Sequence, residues 1–489
     1  MYLNSARLLH LSKYILATGM LLSKRIFANL GFLLQIAGLL TIVPISIGLY
    51  FSETQAITAL FIACVSFLAS GFLLNALCEK KDLNFKSSNL LFLAAFVIVP
   101  LIGSLPYIYT DPFRSANVLD RFTNSYFESI SGFTTTGFSF ITNPDTLPIS
   151  LLVYRSLTEL MGGVGIVFLL LAFFQSRKSL NNLSNSLGIE KVNVNLKKTY
   201  LSVLGIYGVY ILAFMGIFVA LGFTNIVNTG TFVIDTITGG FSPTNVQFQQ
   251  YLSFVPKILI TVLMLLGSLN FAFSYNLFAG KPRKAISLEI LIFLLLILIG
   301  SVLVSFSANI GPLDSLFHVV SMSSATGFNY IPIASFGSTA LSILTVLMLI
   351  GGCTFSMSGG IRVSRIITFG KSVRENVTAL LVKEHAIAMP RKNGNGNGNG
   401  DVQFLSAGVS ILLFISTLAI FAVIFTTIGV SFTDAIFEVG SALTTNGISM
   451  GATTLTMGIG YKWLMISAMT IGRVEVLSII VALVSLRKE

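Results

Sequence analysis

Ten stretches of this chain are each apolar for about 20 residues, the length at which an α-helix crosses the hydrocarbon core of a bilayer. They lie near residues 31–50, 56–77, 88–109, 150–174, 201–222, 257–279, 286–307, 339–361, 405–428 and 463–485. No other feature limits the fold as strongly, because backbone in lipid must satisfy its polar groups within helices or a closed barrel. Of the 489 residues 54% are hydrophobic and 10% charged, and the mean hydropathy is +0.87, which excludes an ordinary soluble globule. The chain reads as an all-α integral membrane protein.

The net charge of +11 could suggest nucleic acid, but its placement points to a membrane side. Of the 30 Lys and Arg, 24 fall in segments 7–25, 80–86, 177–198, 281–284, 362–392 and 487–488, in alternate loops. The positive-inside rule makes those segments cytoplasmic and, with an even number of spans, both termini as well. The N-terminal "YILATGMLLSKRIF" is short and interrupted by Lys24 and Arg25; it reads as an interfacial helix rather than a cleaved signal. Cys64, Cys78 and Cys353, and His10, His318 and His385, are scattered without metal-ligand or disulfide spacing. No cofactor and no nucleic-acid partner are expected. A membrane enzyme would need a nucleophile with a base, or a metal cluster, and this dispersal argues against one.

Four segments repeat a short non-spanning stretch that ends in a glycine turn: "NSYFESISGFTTTGFSF" (124–140), "TFVIDTITGGFSPTN" (231–245), "SLFHVVSMSSATGFNYI" (315–331) and "DAIFEVGSALTTNGISM" (434–450). Alignment places Thr136-Gly137-Phe138, Gly239-Gly240-Phe241, Thr326-Gly327-Phe328 and Asn446-Gly447-Ile448 in register. Two residues before the glycine stand Thr135, Thr238, Ala325 and Thr445. A Phe-polar pair precedes three of the glycines, Phe127-Glu128, Phe317-His318 and Phe437-Glu438, and the second copy lacks it. Spans three to ten thus form four units of helix, short re-entrant helix, loop and helix, with the first two spans as an extra hairpin.

Non-helical backbone at membrane depth is tolerated where it is buried in protein or lines a water-filled cavity, so the four loops want a common axis. Around that axis, carbonyls would form rings able to replace the hydration shell of a dehydrated cation. The predicted ion-binding residues are Thr135, Thr136, Gly137, Thr238, Gly239, Gly240, Ala325, Thr326, Gly327, Thr445, Asn446 and Gly447. Without a carboxylate in the ring, a monovalent ion such as potassium is favoured over a divalent one. The phenylalanines after Gly137, Gly240 and Gly327 would wedge the loops from behind. Glu128 and Glu438 read either as hydrogen-bonding partners behind the loops or as cation attractors at the mouth.

This quadruplicated unit resembles the Trk/Ktr/HKT superfamily of potassium transporters, with "FESISGFTTTG" close to that family's first pore segment. "GSLPY" (103–107), "GSLNF" (267–271) and "GRVE" (472–475) resemble further family motifs. The extra hairpin is similar to the Trk-type membrane subunit, of the TrkH and TrkG kind. In that family a glycine at every filter position goes with potassium preference. The resemblance implies potassium uptake at the plasma membrane, a homodimer, and a separate cytoplasmic nucleotide-binding subunit of the TrkA type. A symporter coupled to sodium or protons is the alternative.

Gly351-Gly352 and Gly359-Gly360 bracket a small polar stretch in the eighth span, which should break there. Close packing of small residues is one reading; the resemblance implies an intramembrane gating loop under the filter. Arg473, deep in the last span, reads as a partner of Glu475 or Glu159, or as an electrostatic barrier that restrains this loop. Arg362 and Arg365 are expected to snorkel to the cytoplasmic surface. "HAIAMPRKNGNGNGNGD" (385–401) reads as a hairpin with a mobile tip. The chain then divides into a cytoplasmic segment and extra hairpin (1–86), unit one (87–178), unit two (179–284), unit three with the gating loop (285–384), the Asn-Gly linker (385–402) and unit four (403–489).

Overall fold

The computed structural model describes residues 2–78, 85–173, 196–241, 253–382 and 399–487, and regular structure among them is helical throughout. An N-terminal hairpin is formed by α1 (Tyr2–Phe51) and α2 (Thr54–Leu77). Its helices touch through glycines. A Cβ on Gly31 would stand 2.8 Å from the Gly71 carbonyl oxygen, and one on Gly71 2.7 Å from that of Gly31, the close backbone approach that small residues permit.

Four units follow. Unit one comprises α3 (Phe85–Gly103), α4 (Leu105–Thr110), the short α5 (Val118–Phe133) and α6 (Ile149–Phe173). Unit two has α7 (Leu196–Ala220), the short α8 (Ile226–Thr238), α9 (Phe254–Ser268) and α10 (Phe271–Phe278), then a turn helix α11 (Pro282–Ala285). Unit three has α12 (Leu288–Ala308), the short α13 (Pro312–Ser324), α14 (Ser338–Ile350) and α15 (Val363–Val382). Unit four has α16 (Asn399–Thr426), the short α17 (Phe432–Leu443), α18 (Ile459–Val474) and α19 (Val476–Arg487).

The short helices have 16, 13, 13 and 12 residues, about 18–24 Å at 1.5 Å per residue, less than a bilayer core. Three start on a side-chain cap: Asn117, Asn225 and Ser431 accept the N–H groups of Asp120, Asn228 and Asp434. The fourth starts at Pro312, where a missing N–H costs nothing. Their inner halves are almost wholly buried; in α5 every residue from Thr123 to Phe133 is buried. Hydroxyls of the short helices bond outward to neighbouring helices, as Ser129 does to the Pro100 carbonyl (2.7 Å) and Ser315 to that of Ser301 (2.5 Å).

The expected spans correspond to helices, but several are interrupted. Segment 257–279 bends by 106° between α9 and α10, and segment 463–485 by 89° between α18 and α19. Segment 88–109 breaks at Ser104, and 339–361 ends as helix at Ile350. Three of these breaks lie in the short motifs at 103–107, 267–271 and 472–475, and the fourth begins at Gly351-Gly352. At 103–107, Gly103 admits the Phe133 ring, since a Cβ there would lie 2.5 Å from its Cε2, and its freed carbonyl accepts the Tyr154 hydroxyl at 2.8 Å. Hydropathy registers none of the first three, because breaks of one or two residues do not lower a window average. At the N-terminus the separate interfacial helix is replaced by one helix running from Tyr2 into the first span. Most of the 385–402 hairpin lies outside the described residues, and 399–401 belong to α16.

The hairpin is fastened to unit one by Glu53. Its carboxylate accepts the N–H groups of Ile149 (2.6 Å) and Ser150 (2.9 Å) and the Ser150 hydroxyl (2.5 Å), capping α6 from the α1–α2 turn. An anionic cap on a helix N-terminus contributes about 1–2 kcal/mol. Glu53→Ala is therefore expected to lower the melting temperature of the detergent-solubilised protein by several degrees, and Glu53→Gln by less; equal losses would reject the charge contribution.

Candidate functional site

The short helices end in the four glycine loops. Gly137, Gly240, Gly327 and Gly447 all have positive φ, at +83°, +100°, +79° and +78°. In loops one, three and four the residue two before is left-handed as well: Thr135 (+56°), Ala325 (+60°) and Thr445 (+53°). Such non-glycine residues cost of order 1–3 kcal/mol each and persist where the surroundings over-determine them. Residues whose φ alternates in sign turn successive peptide groups the same way. The N–H groups go back to the short helix: Thr134, Thr135 and Thr136 donate to the carbonyls of Ile130, Gly132 and Ser131, and Thr444, Thr445 and Asn446 to those of Gly440, Ala442 and Ser441. Loop two differs. Thr238 ends its helix, and both Gly239 and Gly240 donate to the Asp235 carbonyl.

The loops meet in a closed cycle. A Cβ on Gly137 would stand 2.7 Å from the Gly239 carbonyl oxygen, on Gly240 1.6 Å from that of Thr326, on Gly327 1.9 Å from that of Asn446, and on Gly447 2.0 Å from that of Thr136. Each loop thus sets the carbonyl before its glycine against the glycine of a neighbour, one to four and back to one. Side chains at those carbonyl positions face away. The Thr136 hydroxyl pairs with Thr134 (2.7 Å), Thr326 with Ser324 (2.9 Å) and the Thr236 carbonyl (3.2 Å), and Asn446 Nδ2 donates to the Met322 carbonyl (2.7 Å). Asn446, a departure in the alignment, therefore staples loop four to helix α13 as Thr326 staples loop three to α8. The Thr135 and Thr445 hydroxyls are buried with no donor facing them, whereas that of Thr238 bonds to the Ile234 carbonyl at 2.7 Å. Ala325 has no hydroxyl to offer.

The carboxylates stand behind the loops. Glu128 is buried and accepts from Ser139 Oγ (2.8 Å), the Phe140 N–H (3.2 Å) and Arg155 (2.9 Å). Glu438, equally buried, accepts from Ser449 (2.7 Å), the Met450 N–H (2.7 Å) and Thr453 (2.6 Å). Of the two sequence readings, the hydrogen-bonding one holds. Phe138 and Phe328 are buried in the core, Phe328 stacking on Phe232 at 5.5 Å, and Phe241 lies under the Arg155 guanidinium at 4.2 Å.

Between α14 and α15, residues 351–362 form the predicted break. Gly351 and Gly360 have φ of +72° and +92°, and a Cβ on Gly351 would lie 2.1 Å from the Gly359 carbonyl oxygen, so the two glycine pairs pinch the base of the loop. The tip docks on the break in "GSLNF": Cys353 and Met357 donate to the carbonyls of Ser268 and Gly267 (both 3.1 Å), and Phe271 donates to that of Phe355 (3.0 Å). Gly352 packs near Ser358 and the Ser268 carbonyl. The loop reaches the ring itself. A Cβ on Gly359 would stand 2.2 Å from the Thr444 oxygen and 2.6 Å from Thr445 Oγ1, and one on Gly163 2.6 Å from Met357 Sδ and 3.7 Å from the Thr135 methyl.

Arg473 pairs with neither Glu475 nor Glu159. Its Nη1 donates to the Met357 carbonyl (3.1 Å) and its Nη2 to that of Gly162 (3.0 Å), tying the loop to α6 and α18. Glu475 instead holds Arg362 (3.2 Å) and Arg365 (2.6 Å), so those arginines do not simply snorkel; they clamp the end of the loop to the α18–α19 bend. Glu475 adopts φ +68° there, leaving the helix and turning its carboxylate to them. Arg155, the partner of Glu128, escaped the sequence reading, and Glu159, read there as a possible partner of Arg473, instead accepts the Phe241 N–H at 3.1 Å. The signal was an ionisable pair four residues apart inside an apolar span.

The chain matches the family model described as TrkH, cation transport protein, over residues 53–306 and 286–488. It is 28% identical over 462 residues to an uncharacterized cation transporter of Methanocaldococcus jannaschii, covering 94% of each chain. It is 27% identical over 486 residues to the Trk system potassium uptake protein TrkH of Halomonas elongata, covering 94% of this chain and 98% of that one. The crystal structure of the potassium transporter TrkH from Vibrio parahaemolyticus superposes with a TM-score of 0.79 at 23% identity, covering 94% of this chain and 98% of that chain. A backbone with four short helices and broken spans, matched in sequence over nearly its whole length, belongs to a multi-pass membrane transport protein rather than an enzyme: the chain is a member of the TrkH family of cation transport proteins.

Proposed function

We propose that this protein takes up potassium across the plasma membrane through one pore per chain, with the glycine-loop ring as selectivity filter and the Gly351–Gly360 loop as gate. The observation that carries the reading is the closed cycle in which the carbonyls of Thr136, Gly239, Thr326 and Asn446 each abut the next loop's glycine. Such a ring of dipoles replaces a hydration shell. The acids nearest the loops are engaged behind them, which favours a monovalent ion over one bound by charge. The unpartnered hydroxyls of Thr135 and Thr445 add acceptors on the side where Gly359 and Met357 approach. Potassium is also what the Halomonas and Vibrio relatives are named for.

In this reading the gating loop crosses the pore under the filter, held by its three-bond ladder to "GSLNF" and by Arg473. The basic segments face the cytoplasm with both termini, a cytoplasmic nucleotide-binding subunit docks on that face, and two copies form a dimer. The chain divides functionally into the extra hairpin and four pore units at the boundaries drawn from the sequence.

Serine at each filter glycine should disturb the ring in proportion to the crowding there. In potassium-uptake assays, in a strain lacking its own uptake systems, Gly137→Ser, whose nearest contact would be 2.7 Å, is expected to be the mildest variant, and Gly240→Ser, at 1.6 Å, the most severe. Both should lose potassium over sodium preference; unchanged preference in both rejects the filter. Arg473→Ala removes two charge-assisted hydrogen bonds from the loop and α6. Single-channel recording should then show open probability raised at least tenfold, from about 1.5 kcal/mol or more per bond. A folded variant with unaltered closure overturns the gate.

A further inference from the structure

We propose that Glu159 is a specificity-determining residue: it holds the second filter loop from outside that loop's own unit, and the ring's preference for potassium depends on it. The inference rests on the filter reading above.

In loops one, three and four the support is a side chain nine residues before the glycine, on the same short helix. Glu128 takes the Phe140 N–H (3.2 Å), His318 Nε2 the Ile331 N–H (3.4 Å) and Glu438 the Met450 N–H (2.7 Å). In loop two that position is Thr231, whose hydroxyl is spent on the Asn228 carbonyl of its own helix at 2.9 Å. The acceptor comes from α6 of unit one. Glu159 Oε1 takes the Phe241 N–H at 3.1 Å, directly after Gly240, and its carboxyl carbon would lie 2.7 Å from a Cβ on Gly239. The carboxyl group thus both anchors the loop and sets how far it can retreat from the axis.

Loop two has most need of an outside support. It lacks the left-handed residue that loops one, three and four place two before the glycine, and its Gly240 makes the closest approach in the cycle. One turn earlier on α6, Arg155 holds Glu128 and Ser139 (2.9 and 3.0 Å) behind loop one and lies over the Phe241 ring. A single helix therefore positions two adjacent quarters of the ring. Glu159 Oε2 and, on α8, Asp235 Oδ1 are buried with no donor facing them. A glutamine at 159 would keep a carbonyl oxygen for the Phe241 N–H.

The test is flux of potassium and sodium through the purified full-length protein in liposomes, comparing Glu159→Gln, Glu159→Ala and Glu159→Met with the parent and with Gly240→Ser. Leaving the buried Phe241 N–H without its acceptor is expected to lower the potassium-to-sodium ratio about tenfold in the alanine and methionine variants. Glutamine should restore it. If alanine and methionine keep the parent's ratio while Gly240→Ser changes it, the role of Glu159 is refuted and the filter reading stands. If Gly240→Ser also leaves the ratio unchanged, the filter reading itself fails. Should alanine and methionine yield no folded protein while glutamine does, Glu159 supports the fold rather than the selectivity, and the inference is overturned.

Discussion

The structure turns on four places where a backbone carbonyl of one loop presses against the Cα of a glycine in the next. Nothing larger than a hydrogen fits: a Cβ would come within 1.6–2.7 Å of the neighbouring carbonyl oxygen in all four. Because the contacts close on themselves, a displacement of one loop is passed to the next, and the geometry is a property of the ring rather than of any unit. Positive φ and lack of a side chain are both needed at the same residue, and glycine alone meets both demands at no steric cost.

Such a ring buries irregular backbone among helices, where an unsatisfied polar group costs several kcal/mol. The N–H groups turn back onto the short helices, and a buried side chain, Glu128, His318, Glu438 or Glu159, takes an N–H of the outgoing strand. The same requirement accounts for the broken spans. The carbonyls freed at Gly267 and Ser268 are met by the N–H groups of Met357 and Cys353, so the bend in unit two and the loop of unit three satisfy one another. Glycines of the second spans serve the ring too. Cβ atoms on Gly162, Gly267 and Gly472 would come 2.0, 2.5 and 2.2 Å from the carbonyl oxygens of Phe133, Ile237 and Leu443, at the ends of the short helices.

Pseudosymmetry holds at the ring and is abandoned around it. Unit two borrows its buttress from unit one, unit three opens a span into the loop, and unit four supplies Arg473 and Glu475 to hold that loop at two points. Four identical units could form a ring but could not set a single loop against it. The divergence of units two to four gives the loop its dock and its restraints.

The multi-pass helical class, the fourfold repeat and the glycines that meet in the ring were legible in the sequence, because period, length and a shared turn are local properties of the chain. The polar clusters behind the loops were half legible: Glu128 and Glu438 stood out beside their phenylalanines, while Arg155 drew no reading and Glu159 was matched to Arg473 rather than to the Phe241 N–H it accepts. Only the tertiary structure decided which partners meet. Arg473 was close in sequence to Glu475 yet bonds to carbonyls of Met357 and Gly162, more than a hundred residues away, and Glu475 turns instead to Arg362 and Arg365. The reason is physical. A bend of 89° between α18 and α19 aims neighbouring side chains in different directions, and pairing between units depends on how four helical layers close around an axis that no single segment encodes.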